Sequence, residues 1–112
     1  LILALVALFS FPAQAVFDVG DEVPVSTACE GRETVMELSR EDEKDVRSAT
    51  ALFNLYLSEG KCAAFPIRAV KLVYLVHVYT DSKGIISEIW RVETRKLEIF
   101  VIVVDPRQRG SI

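Results

Sequence analysis

Residues 67–104 read IRAVKLVYLVHVYTDSKGIISEIWRVETRKLEIFVIVV, and the period of this stretch decides the fold. From Ile67 apolar residues recur every second position. Val70, Leu72, Tyr74, Val76 and Val78 share one face, and Lys71, Val73, Leu75, His77 and Tyr79 share the other. Period two is the spacing of a strand, because successive side chains point to opposite sides of a sheet. Asp81-Ser82-Lys83-Gly84 supplies turn chemistry, with Gly84 able to take positive φ. Ile85 to Val92 then alternates Ile86, Glu88, Trp90 and Val92 against Ile85, Ser87, Ile89 and Arg91. Glu93-Thr94-Arg95-Lys96 is a second turn, and Leu97 to Val104 is a third strand ended by Asp105-Pro106. The expectation is a three-strand antiparallel meander.

Upstream the period changes. Val46, Ala49, Phe53 and Tyr56 or Leu57 recur at three- and four-residue intervals, the stripe of an amphipathic helix. Ser39, followed by Arg40, Glu41 and Asp42, has the form of a capping box and places acids at the positive end of the helix dipole. Gly60 stands where a glycine closes a helix, and Pro66 stops its resumption. One long helix from Ser39 to about Ser58 is therefore expected. Thr34 to Leu38 fits either a short strand or the first turns of that helix. Val23, Val25 and Thr27 alternate as a short strand, which Pro24 restricts to a sheet edge. The fold class is α+β, one long helix packed on a small antiparallel sheet of three strands plus an N-terminal edge strand. The alternative is a small curled SH3-like barrel with an inserted helix. In either case the long apolar edge at Leu97–Val104 needs a cover, from Val23–Ala28 or from a second chain.

The first fifteen residues, LILALVALFSFPAQA, carry no charge and end in the small-x-small triplet Ala13-Gln14-Ala15. This is the pattern of a cleaved secretory leader, too short for a spanning helix of about 20 residues. Because the chain begins at Leu1, the initiator methionine and basic segment of such a leader would lie upstream. The domain reading is residues 1–15 as signal peptide and 16–112 as one small α+β domain. No later apolar stretch is long enough to span a membrane. In an exported chain the two cysteines, Cys29 and Cys62, read as a disulfide worth roughly 3–4 kcal/mol.

Charge and motif exclude more than they assign. Thirteen basic residues against sixteen acidic give a net charge of −3 and no footprint for nucleic acid. His77 is the only imidazole and both cysteines are read as bridged, so neither a His-rich metal site nor a Cys–His dyad can be assembled. Asp18 to Glu22 groups three of its acids around Gly20 but lacks the closing glutamate of a calcium loop. Glu41 and Asp45 lie one turn apart on a wet helix start rather than facing each other across a cleft. Gly60-Lys61 lacks the rest of a phosphate loop, and no nucleophile elbow surrounds any serine. No cofactor or metal is expected. What remains is a candidate interaction surface of Tyr79, Trp90, Arg91 and Arg95, residue types that dominate interfaces, although Trp90 also suits the core.

The functional expectation is a small exported, disulfide-stapled binding module, secreted or periplasmic. Its partner would be a protein or small ligand of the cell envelope. A self-assembling protein using its sheet edge is the second reading, and a small hydrolase-type enzyme using His77 or carboxylates the third.

Overall fold

The computed structural model describes residues 15–95 and 97–104. The expected leader up to Gln14, Lys96 of the second turn and the stop at Asp105-Pro106 lie outside the described residues. The elements run β1 (Glu22–Glu30), α1 (Arg32–Lys44), α2 (Val46–Ser58), β2 (Cys62–Thr80), β3 (Ile86–Val92) and β4 (Ile99–Val104). All strand pairs are antiparallel, and the sheet closes on itself in the order β1-β2-β3-β4. An α+β chain with a small antiparallel sheet is thus what the pattern specifies. The order alone does not single out an SH3-like arrangement.

β2 holds the barrel together by serving two partners in succession. Its first half pairs with β1, from Cys29↔Cys62 to Glu22↔Lys71, and its second half with β3, from Leu72↔Val92 to Thr80↔Ile86. The strand therefore starts five residues before the expected Ile67 and runs through Pro66. A proline has no N–H for the ladder, and the β1–β2 register slips between Val25 and Thr27, opposite that position. Two further irregularities, between Leu72 and Tyr74 and between Leu75 and His77, twist the second half. Strict alternation would place Val76 with Leu72. Instead Val76 packs with Tyr79 in one cluster while Leu72 lies in the other.

The single long helix is corrected to two. Asp45 breaks the run with extended backbone (φ −163°, ψ 127°) and its carboxylate accepts the Arg47 N–H at 3.1 Å. Aspartate competes for backbone donors better than it continues a helix, so it ends α1 and caps α2 at one position. Ser39 is not a cap. It lies buried within α1, its hydroxyl donating to the Met36 carbonyl at 2.7 Å. Thr34–Leu38 is helical. At the other end Gly60 (φ 77°) does close α2: Gly60 N–H reaches Leu57 O at 3.2 Å and Lys61 N–H reaches Tyr56 O at 2.9 Å. These are the two reverse bonds that satisfy the last carbonyls of a helix.

Two apolar layers result. Val35 and Leu38 of α1 and Tyr56 of α2 cover Tyr79, Ile89, Phe100 and the disulfide on one face of the sheet. Val23, Val25, Leu72, Trp90, Val92, Val101 and Val103 fill the other, with Phe17 packed against them. β3 is consequently buried on both faces, which is why its polar Ser87 and Glu88 are buried too. β1 and β4 share only Cys29↔Phe100 and Glu30↔Ile99, and Phe17 lies in the cleft between the rest of the two strands.

Candidate functional site

The disulfide sits where the chain leaves the sheet to form its helices and returns. Cys29 and Cys62 are the terminal register pair of β1 and β2, with Cα atoms 4.0 Å apart. Beside it opens a cavity of about 870 Å³. Phe65, Val70, Val92, Ile99 and Val101 give it an apolar lining, drawn from β2, β3 and β4. Charged groups ring this lining: Glu22, Glu30 and Glu93, and opposite in sign Lys61, Arg68, Lys71 and Arg95. Lys61 and Lys71 are engaged with Glu59 at 3.5 Å and Glu93 at 3.9 Å. Arg68 and Arg95 have no ion-pair partner among the described residues. An apolar cavity of this size with a few convergent polar groups is the usual form of a small-ligand site.

The structure disperses the four expected surface residues. Trp90 is 2% exposed and Tyr79 4% exposed, and they lie in the two different apolar layers. Arg91 is half-buried, its guanidinium 5.8 Å from the centre of the Tyr74 ring, and its Nε is buried without a hydrogen-bond acceptor. Only Arg95 reaches the cavity. His77 is half-buried on β2 and stacks on Tyr79 at 6.4 Å. Among the described residues no cluster of His, Cys, Asp and Glu could hold a metal ion, and no helix is long and apolar enough to cross a membrane.

Phe65 falls in the stretch that Pro66 marks as a connection, and Arg68 falls inside the strand expected from Ile67, where nothing in the sequence sets it apart. The signal available was the alternation Phe65-x-Ile67, which the proline outweighed.

Tyr79 has a structural task. Its hydroxyl donates to Asp42 Oδ2 at 2.9 Å, and the Ser82 N–H donates to the Asp42 carbonyl at 2.9 Å, so the end of α1 is tied to the β2–β3 turn. Burial pushes the Asp42 carboxyl above its ordinary pKa, with Asp81 and Glu43 adding to the rise, while the Tyr79 hydroxyl works against it. Burial and the Asp42 charge push the Tyr79 phenol upward as well. A carboxyl raised on folding favours its protonated form, so its ionisation costs stability as pH climbs through the folded-state value. The Asp42→Asn variant keeps an acceptor for Tyr79 without that cost. Its stability relative to wild type is expected to rise between pH 3 and pH 7, measured by urea unfolding at both. An unchanged difference would show that Asp42 titrates as it does in the unfolded chain.

Comparison of the chain with family models, with curated proteins and with solved structures found no match.

Proposed function

We propose that the chain is a small exported binding module, and that its ligand is a small amphipathic anion taken into the cavity beside the disulfide. The observation that carries this reading is the pairing of an apolar lining with two unpartnered guanidinium groups, Arg68 and Arg95, at its rim. An apolar body in the cavity removes Phe65, Val70 and Ile99 from water, and a carboxylate or phosphate at the mouth supplies the charge that the two arginines lack. The disulfide between Cys29 and Cys62 supports an oxidising compartment, and the uncharged Leu1–Ala15 stretch supports export into one. The described lining holds no histidine and no free thiol, and its charged groups frame an apolar interior, so binding fits better than catalysis.

Dodecanoate below its micelle concentration is the test ligand, titrated by calorimetry, with dodecylamine as the control of opposite charge. Saturable binding of dodecanoate alone is expected. Replacing both arginines (Arg68→Ala with Arg95→Ala) is expected to raise its Kd by at least about tenfold, the loss of one good charge-assisted contact or more. Ala63→Trp, at an exposed cavity-lining position, is expected to abolish binding by filling the space. Absence of heat with dodecanoate, or equal binding of the amine, would overturn the reading.

A further inference from the structure

Glu88 is the most deeply buried acid of the described chain, 1% exposed on β3, in the layer that holds Trp90. A buried carboxylate is costly unless a positive charge or several donors compensate it. Among the described residues no lysine or arginine pairs with it. Its two donors are Trp90 Nε1 at 2.8 Å on Oε1 and the backbone nitrogen of Val16 on Oε2. The second donor is unusual, because it comes from 72 residues away and from the residue just after the expected leader boundary.

The segment that carries Val16 is held in place. Phe17 packs against the Trp90 layer in the seam between β1 and β4. Asp18 N–H donates to Asp21 Oδ2 at 2.8 Å, Gly20 N–H to Leu72 O at 2.8 Å, and Leu72 N–H to Asp21 O at 2.9 Å. These bonds aim one nitrogen at one buried carboxylate.

We propose that Val16 becomes the amino terminus of the mature protein and that its α-ammonium neutralises Glu88, so that removal of the leader locks the barrel. The inference rests on the exported reading given above. The cleavage is a hydrolysis by a signal-peptidase-type endopeptidase: water adds across the Ala15–Val16 amide, Ala15 leaves as a carboxylate with the leader, and the Val16 nitrogen takes up a proton. An amide N–H, one neutral donor, is replaced by an ammonium with three donors and a full charge at the same place. In the precursor Glu88 is buried without a cation, which weakens the fold before export. After cleavage it is paired. The device couples maturation to stability with no change of topology.

The test compares two chains made without the leader, one beginning at Val16 and one carrying Ala15 before it, each with and without Glu88→Gln. The chain beginning at Val16 is expected to melt about 8 °C or more above the extended one, since breaking a buried pair is strongly destabilising in a domain of this size. Glu88→Gln is expected to shrink that gap to a degree or two. The α-amine of the Val16 chain should react with an amine-directed acylating reagent about tenfold more slowly than that of its Glu88→Gln variant. Equal melting of the two starts, with an α-amine that reacts at the same rate in both backgrounds, would overturn the ion pair.

A separate arm expresses Leu1–Ile112 behind a start methionine and two lysines in an exporting bacterial host, and determines the amino terminus of the exported product by mass. A start at Val16 supports the maturation step. A start elsewhere overturns the leader reading and the maturation step with it, even where the ion pair forms in the shortened chain, so the two failures are distinguished.

Discussion

Reduction of the Cys29–Cys62 disulfide is expected to lower the melting temperature by well over 10 °C. The bridge closes 33 residues of chain. Loop-closure entropy on that length gives about 3–4 kcal/mol, and in a small domain each kcal/mol moves the Tm by about 4–8 °C. Total stability for a chain of this size is about 5–15 kcal/mol, so the bridge carries a large share of it. Its position enlarges the effect. The closed loop contains both helices, α1 and α2, and the bridge joins the strand ends at which they begin and finish. Cys29 also pairs with Phe100, one of the two register pairs that close β1 on β4. Losing the bridge therefore loosens the helical layer and the seam together. A melt followed by circular dichroism, with and without reductant, checks this once thiol titration has shown both cysteines free. The Cys29→Ala/Cys62→Ala variant should melt like the reduced protein. A reduced protein that melts within a few degrees of the oxidised one would show that the unfolded chain gains little freedom from opening the loop. Both cysteines line the cavity, so reduction should weaken dodecanoate binding in the same samples.

What could be read from the sequence was whatever local physics decides. The turn at Asp81–Gly84 is one case: Asp81 Oδ1 accepts from Lys83 and Ile85 N–H at 2.8 and 2.9 Å, and Gly84 takes φ 85°, chemistry that five consecutive residues contain by themselves. The glycine closing α2 is another. The helix break at Asp45 was missed because the apolar stripe continues across it. The stripe reports which side faces the sheet, and the break concerns a competition for the Arg47 N–H that periodicity does not register. Closure of the barrel stood only as the alternative to an open sheet, for a different reason. It depends on β2 changing partners at Lys71 and Leu72, a non-local event with no signature in the strand itself. The cavity is a product of that closure, so its members were scattered in the sequence among a connection (Phe65), a turn (Arg95) and two different strands (Arg68, Ile99). The cysteine pairing was legible because two cysteines permit one arrangement only.

Trp90 shows how a residue type can point to an interface and the packing to the core. It is the largest fully buried side chain of the described residues, packed in the layer formed by Leu72, Val92, Val101 and Val103, with its one polar atom spent on Glu88. Two substitutions separate these roles. Trp90→Ala removes the ring and leaves a cavity in the barrel, a loss of about 3–5 kcal/mol, which should lower the Tm by more than about 10 °C in a domain of this size. Trp90→Phe keeps most of the volume and deletes the donor, leaving Glu88 with the Val16 nitrogen alone. A hydrogen bond to a charged group is worth about 1.5–3 kcal/mol, so this milder change should still lower the Tm by several degrees. Because Trp90 is the only tryptophan, both variants must be followed by far-ultraviolet circular dichroism. The wild type offers its own check, with indole emission typical of an apolar site that shifts to the red on unfolding. A Phe variant as stable as wild type would mean that Glu88 needs no indole donor. An Ala variant that loses less than about 1 kcal/mol would mean that the barrel interior is not packed as described, because nothing else in that layer could fill the space an indole vacates.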